Sequence, residues 1–226
     1  NICIKIIKFI KRDLKLSKDK KLDEKLLIVL INISNCADNV SFVSNVTDET
    51  FLNHIFKKID NHLENRSFIG LDEFIAFLGL INIELKPGLQ EKSILKIINV
   101  FLKFNTKEHT NYYYFLHKVF VALINSSSIP VCMNKIYENG NDIISKIKNI
   151  LEKNEFILMV TYKDRINEIY KLMIQTFCNF LALKPDFVKI MKQQNVDKIV
   201  SVESIKILMP DHCEFIINSL NGELPE

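Results

Sequence analysis

The chain of 226 residues is poor in the residues that tight turns require. It has no tryptophan and only five glycines and five prolines. All-β folds need many turn residues, and doubly wound α/β folds need glycines at their βα turns. Glycine-rich phosphate loops and the HExxH, GxSxG and CxxC motifs are also absent. We therefore expect a helical fold, no enzymatic activity, no catalytic or metal-binding residues and no cofactor.

Charge and hydropathy exclude further classes of protein. The net charge of +3 is too small to indicate nucleic-acid binding. No uncharged apolar run approaches the roughly 18 residues of a membrane-spanning helix. The five cysteines are scattered and odd in number, which predicts reduced thiols in a cytoplasmic protein. They are Cys3, Cys36, Cys132, Cys178 and Cys213.

An asparagine recurs at the end of successive apolar runs. The sequence around Asn32, Leu-Ile-Asn-Ile, is repeated around Asn82 and, with small changes, around Asn125, Asn179 and Asn221. Neighbouring copies are 42 to 54 residues apart. Helical arrays of the HEAT and armadillo type repeat at about 40 to 47 residues. Each asparagine closes a stretch with helical apolar spacing, and shorter helical patterns follow it.

These patterns predict an all-α fold, a right-handed superhelical solenoid of armadillo- or HEAT-like repeats. We expect a single solenoid over residues 1–226, forming the C-terminal part of a longer array. Its approximate repeats are 1–36, 37–85, 86–127, 128–183 and 184–226. The first segment is a basic amphipathic helix with Cys3, Ile7, Ile10 and Leu14 on one stripe. We interpret it as a repeat helix that covers the next helix, although a position on a membrane surface is the alternative.

Residues 168 to 223 carry a more particular resemblance. The motifs are Phe177-Cys178-Asn179-Phe180, Asp186-Phe187-Val188, residues 196–200, Pro210 with Glu214-Phe215, and Leu220-Asn221. Together they resemble the C-terminal armadillo region of the ataxin-10 family, with Phe215 at the position of a tryptophan in that family. The resemblance implies a cytoplasmic scaffold linked to cell division and signalling.

In an armadillo solenoid the last helices of the repeats line a concave groove, so Asn32, Asn82, Asn125 and Asn179 are candidate partner-binding residues. A ladder of amides there can bind the backbone of an extended peptide. Alternatively, each amide satisfies carbonyls at a helix end, because buried polar groups must be paired with or without a ligand.

Two further sets of residues belong to the same predicted groove. Four residues before the asparagines lie Ile28, Leu78, Val121 and Gln175, where nuclear-import adaptors have tryptophan, so recognition of that kind is not expected. Seven or eight residues before them lie Lys25, Lys118 and Lys171, which would make a mildly basic groove for acidic peptide. The alternative is that these lysines are ordinary solvated side chains.

Two other clusters are interpreted as structural. Asp211, His212, Cys213 and Glu214 follow one another on a helix, so their side chains diverge and do not converge on a metal. Tyr112, Tyr113 and Tyr114 are assigned to the core because no basic stripe surrounds them.

The sequence thus predicts a non-enzymatic scaffold for protein–protein interaction, ataxin-10-like, in the cytoplasm. The alternative is an adaptor or chaperone-type armadillo protein that binds extended peptides in its concave groove. The expected partners are proteins, with no nucleic acid and no transmembrane segment, and homo-oligomer formation is compatible with the sequence.

Overall fold

The computed structural model of the chain describes residues 2–35, 47–65, 70–104, 112–152 and 163–222. Over these ranges the secondary structure consists of thirteen α-helices and one short 3₁₀ turn, with no strand. The predicted all-α class is confirmed.

The helices are numbered in chain order. They are α1 (Ile2–Leu16), α2 (Lys20–Ser34), α3 (Glu49–Glu64), α4 (Leu71–Ile81), α5 (Pro87–Lys103), α6 (Tyr112–Ser127), α7 (Pro130–Glu138), α8 (Gly140–Glu152), α9 (Lys163–Leu183), α10 (Phe187–Gln193), α11 (Val196–Val200), α12 (Glu203–Lys206) and α13 (Pro210–Asn221). The 3₁₀ turn Asn82–Glu84 follows α4 directly.

Local sequence signals set several of the helix starts. The Asp19 carboxylate accepts a hydrogen bond from the backbone N–H of Lys21 at 2.9 Å, and Asp48 accepts one from Phe51 at 2.7 Å. Both are N-caps that satisfy amide groups with no partner inside the helix. Pro87, Pro130 and Pro210 each occupy the first turn of a helix, where proline removes no hydrogen bond.

Five helices form a row in which each contacts the next. The helix row consists of α2, α4, α6, α9 and α13. The remaining helices form a second layer against it, in which α1 contacts α3, α3 contacts α5, α5 contacts α7 and α8, and α8 contacts α10 and α11. Of the four predicted repeat boundaries, 85/86, 127/128 and 183/184 fall between helices, and the boundary at 36/37 lies outside the described residues.

Aromatic pairs join the second layer to the row. Phe51 of α3 meets Phe77 of α4 edge-on, with ring centroids 6.3 Å apart. Phe101 of α5 meets Phe120 of α6 in the same way at 5.6 Å. All four rings are fully buried. Since edge-on geometry is favourable for aromatic rings, the same kind of contact holds the layers together in two successive places.

A lysine closes the C-terminal end of α5. The Lys146 ammonium group, on α8, donates to the carbonyl oxygens of Phe101 at 2.6 Å and Leu102 at 3.0 Å, and also to that of Phe104. The last carbonyls of a helix have no partner within it and carry partial negative charge. Lys146 therefore fixes α8 against the end of α5.

The predicted stripe on α1 is buried as expected. Ile7, Ile10 and Leu14 are at most 3% exposed, so they pack against the neighbouring helices. The Cys3 side chain lies outside the described residues.

One buried ion pair connects α2 to α3. Lys58 donates to the Asp23 carboxylate at 2.5 Å and to the Ser17 carbonyl at 2.9 Å, and both charged side chains are almost fully buried. We expect Asp23→Asn to destabilise the fold by about 3 kcal/mol, because it leaves the Lys58 charge buried without a counter-ion. Urea unfolding followed by circular dichroism measures this change.

The double variant Asp23→Leu, Lys58→Met is the control for that pair. Removing both charges should recover most of the lost stability, since well-packed apolar side chains can replace a buried ion pair. A double variant as unstable as the sum of Asp23→Leu and Lys58→Met, each made singly, would contradict this account.

The row is closely packed where α4 crosses α6. A Cβ atom placed on Gly79 would lie 2.5 Å from the Cβ atom of Ala122. We expect Gly79→Ala to destabilise the fold by about 2 kcal/mol through overpacking. The reciprocal variant Gly79→Ala, Ala122→Gly should recover part of that loss. Thermal unfolding of the three proteins tests this, and equal stability of Gly79→Ala and the wild type would contradict the close crossing.

Candidate partner-binding face

The candidate surface consists of the exposed and half-exposed sides of three row helices, α2, α6 and α9. We call it the row face. Its residues recur every three or four positions, as one face of a helix requires. On α2, α6 and α9 they are Lys21, Lys25, Ile28, Asn32, Tyr114, Lys118, Val121, Asn125, Glu168, Lys171, Gln175 and Asn179, all exposed or half-exposed.

The structure brings seven of the eight residues predicted for the groove to this face. Asn32, Asn125, Gln175, Lys25 and Lys171 are exposed, whereas Asn179 and Lys118 are half-buried. They lie on α2, α6 and α9, and α4 lies between α2 and α6 in the row. Their assignment to partner binding stays a prediction.

Asn82 is the exception, because it is fully buried. Its side-chain amide donates to the Ser126 hydroxyl at 3.0 Å and to the Cys132 sulfur at 3.2 Å. It therefore links α4 to α6 and α7 and is not accessible to a partner. Asn82 thus has a structural role, although its amide bonds to a hydroxyl and a thiol and not to the helix-end carbonyls that the sequence-based alternative named.

The burial of Asn82 belongs to the whole stripe of α4 on which it lies. Its backbone is still helical, with φ −59° and ψ −37°, and its N–H bonds to the Leu78 carbonyl, so the 3₁₀ turn that begins there does not reorient it. Leu71, Ile75 and Leu78, which precede it at helical spacing, are fully buried as well. The repeated Leu-Ile-Asn-Ile sequence does not distinguish a helix on which this stripe is buried from one on which it is exposed.

A cleft on the row face lies between α6 and α9. Its volume is about 260 Å³, and it is lined by Tyr113, Tyr114, His117, Lys118, Glu168 and Ile169. The tyrosine rings at 113 and 114 are 4.0 Å apart between centroids. Tyr112 and Tyr113 are buried, as predicted for a core position, but Tyr114 is 40% exposed. Sequence analysis identified neither His117 nor Glu168, which come from different helices.

Charges of opposite sign alternate across the cleft. Burial lowers the pKa of His117, Lys118 lowers it further, and Glu168 opposes both. Burial also raises the pKa of Glu73 on α4, with Asp72 adding to the rise and Lys118 opposing it. Lys118 thus lies between acidic groups of the two neighbouring helices. The cleft is therefore of mixed charge, whereas the row face as a whole carries four lysines and one glutamate. The mildly basic groove stays a prediction.

Among the described residues outside the cleft, the reactive groups do not assemble into a site. Burial raises the pKa of Cys178 to about 12 and that of Cys132 to about 11, so neither thiol is a nucleophile at neutral pH. Cys213 is buried, whereas Asp211 and Glu214 are exposed, so that cluster diverges as predicted. Within the described ranges, no group of three or more His, Cys, Asp or Glu side chains could hold a metal ion.

Cys132, Cys178 and Cys213 are free thiols, and Cys36 lies outside the described residues. Among the helices described, none has the length and apolar character needed to cross a membrane. No protein-family model, curated protein or solved structure matches the chain.

The different surroundings of two repeated asparagines give a direct test. We expect Asn82→Ala to lower the free energy of unfolding by about 1–2 kcal/mol, because buried groups lose their hydrogen-bond partner. Asn125→Ala, at an exposed position, should change it by less than about 0.5 kcal/mol. Urea unfolding compares the two. Equal losses of unfolding free energy in the two variants would contradict the different burial of Asn82 and Asn125.

Proposed function

We propose that the chain is a non-enzymatic scaffold that binds protein partners on the row face of an armadillo-like, right-handed superhelical solenoid. The observation that carries the proposal is the order of helix contacts. The row helices follow one another in the order of the repeated asparagines, and each contacts the next. Such nearest-neighbour stacking is how repeat proteins build an extended binding surface.

The side chains of the row face are of the kinds found at protein–protein interfaces. The cleft between α6 and α9 offers a half-exposed tyrosine, Tyr114, beside Lys118 and Glu168. Aromatic residues are enriched at protein–protein interfaces, and charges of both signs give specificity and orientation. A mixed-charge cleft of this kind favours a partner that places charges of both signs there.

The same face argues against the extended-peptide adaptor. A ladder of amides needs one accessible asparagine on each successive helix, and Asn82 is buried and bonded to Ser126 and Cys132. The ladder is therefore interrupted on α4, between Asn32 and Asn125. This favours the scaffold, which needs no regular spacing of amides.

A non-enzymatic role is supported by the chemistry of the described residues. Their three free thiols are buried, and burial raises the pKa of each. The cleft on the row face is lined by no thiol and no serine or threonine hydroxyl, so a mechanism based on a cysteine, serine or threonine nucleophile has no nucleophile there.

The resemblance of residues 168–223 to the ataxin-10 family extends the proposal to the cellular process in which the scaffold acts. On that basis the chain is a cytoplasmic scaffold that acts in cell division or signalling. The helices of this stretch, α9 to α13, include the end of the helix row, so the resemblance concerns part of the proposed binding surface.

The test is affinity capture from native cell extract with quantitative mass spectrometry. A row-face variant, Asn32→Ala, Asn125→Ala and Asn179→Ala together with Tyr114→Ala, is compared with the wild-type chain. We expect the row-face variant to lose at least about 90% of a specific partner, because alanine substitution at an interface centre removes much of the binding energy.

The matched control changes exposed asparagines on second-layer helices, Asn53→Ala and Asn61→Ala on α3 and Asn149→Ala on α8. It should keep the partner. Circular dichroism and size-exclusion chromatography first establish that both variants are folded. Equal capture by both variants would contradict the row face as the binding surface, and no specific capture by the wild-type chain would contradict the scaffold function.

A further inference from the structure

The cleft between α6 and α9 lies inside the helix row and not at one of its ends. Helix α6 contacts α4 and α9, and α9 contacts α6 and α13, so both walls of the cleft have their row neighbours in place. A further repeat would stack on α2 or on α13 and would leave the cleft open. Its volume of about 260 Å³ is below the roughly 300–1,000 Å³ of small-molecule sites, so it fits a single side chain of a protein partner.

Aromatic rings make up much of the α6 wall of the cleft. Tyr113 is buried, as is Ile169 on the opposite wall, so these two residues line the inner side of the cleft. The Tyr114 ring is 40% exposed, and its centroid lies 4.0 Å from that of Tyr113. The face of an aromatic ring carries partial negative charge and attracts cations, most strongly where water is partly excluded. The α6 wall is therefore suited to a cation.

A carboxylate comes to the cleft from the α9 wall. Glu168 is exposed, and within the described part of the chain it forms no ion pair. A carboxylate beside an aromatic ring is the combination that recognises a guanidinium group. The carboxylate accepts two parallel N–H bonds, and the planar cation stacks on the ring.

His117 lines the cleft one helical turn after Tyr113 without adding a charge. Burial lowers the pKa of His117, Lys118 lowers it further, and Glu168 opposes both. The imidazole is therefore neutral at pH 7 and does not repel a cation. Its unprotonated ring nitrogen is a hydrogen-bond acceptor for an N–H group in the cleft.

Lys118 is the cation among the lining residues, and its charge is offset from the side of α4. It lowers the pKa of Glu73 on α4, against the rise that burial and Asp72 cause, so Lys118 and Glu73 attract each other. This attraction acts on the side of α6 that is turned away from α9. A cation that enters next to Glu168 therefore meets a partly compensated lysine, whereas an acidic side chain would meet the Glu168 carboxylate.

We propose that the cleft between α6 and α9 binds one arginine side chain of a protein partner, with the guanidinium group against Tyr114 and paired with Glu168. Lysine suits the cleft less well, because its compact ammonium group neither stacks on a ring nor bonds a carboxylate in parallel. Tyr114 is eleven residues, or about three helical turns, before Asn125, so the site does not use the repeated asparagines. The inference rests on the proposed function, since it names the side chain that a partner brings to the row face.

The experiment is a titration of the ¹⁵N-labelled full chain at pH 7, followed by the amide chemical shifts of the residues that line the cleft. The probes are the N-acetyl, N-methylamide derivatives of arginine, citrulline, lysine and glutamate. Citrulline has nearly the shape of arginine but no charge. We expect saturable shifts with the arginine probe, at a half-saturation concentration at least about fivefold lower than with citrulline, because the cation supplies the ring and carboxylate attractions. The lysine probe should bind about threefold more weakly than the arginine probe.

Three variants of the cleft have effects of different sign. Glu168→Gln should weaken binding of the arginine probe by at least about fivefold, because the charge-assisted hydrogen bonds are lost. Tyr114→Leu should weaken it by about threefold, whereas Tyr114→Phe, which keeps the ring, should not. Lys118→Gln should strengthen it by about twofold, because a like charge is removed. Loss of structure alone would not make one of these variants bind more tightly.

Matched controls change charged residues of the same types on other helices. Glu214→Gln on α13 and Lys192→Gln on α10 are at exposed positions outside the row face. Both should bind the arginine probe like the wild type. Circular dichroism establishes that the cleft variants and the controls retain the helical content of the wild type.

Several outcomes would overturn the arginine site. These are no saturable shift of the cleft amides with the arginine probe, equal binding of arginine and citrulline, or equal losses in Glu168→Gln and its control. Tighter binding of the glutamate probe, lost in Lys118→Gln, would assign the cleft to an acidic side chain instead.

The scaffold function is decided separately by affinity capture. A partner that depends on the row face, in a chain that does not bind the arginine probe, would refute the arginine site and leave the scaffold in place. Binding of the probe by the cleft, without a specific partner in cell extract, would support the site and refute the scaffold.

Discussion

The close crossing of α4 and α6 sets the spacing of the helix row. Gly79 is needed there because any larger side chain would overlap with Ala122. With the two backbones this close, the neighbouring aromatic pairs, Phe51 with Phe77 and Phe101 with Phe120, can reach across from the second layer and fill the core. A helix array holds together only if each helix buries its neighbours, so a change in one crossing affects the burial of several helices.

Polar contacts also fix the helices against one another. Buried Ser34, Thr176 and Ser219 donate to carbonyls of their own helices, whereas three other contacts join separate helices. The Asn82 amide joins α4 to α6 and α7, Lys58 joins α3 to α2, and Lys146 closes the end of α5 from α8. Directional bonds of this kind select one register between packed helices, whereas apolar contacts alone are tolerant of sliding.

The helices could be predicted from the sequence because apolar residues at helical spacing must face the core. The same periodicity correctly placed Asn32, Asn125 and Asn179 outside the core. It failed for Asn82, because the stripe of α4 that ends there, which includes Ile75 and Leu78, is buried between its neighbours, and the same spacing fits a buried or an exposed stripe. The cleft with His117 and Glu168 could not be predicted either, since it depends on how two helices that are distant in sequence lie side by side.

Charge is distributed unevenly over the helix row. In the cleft, Lys118 lies between acidic groups of adjacent helices, so opposite charges offset one another and the field falls off over a short distance. Over residues 5–34, in contrast, the exposed charged side chains are seven cations and one acid. A partner that spans the row from α2 to α9 would therefore meet positive charge on α2 and charges of both signs at the cleft, so the order of its own charges would fix the direction in which it binds.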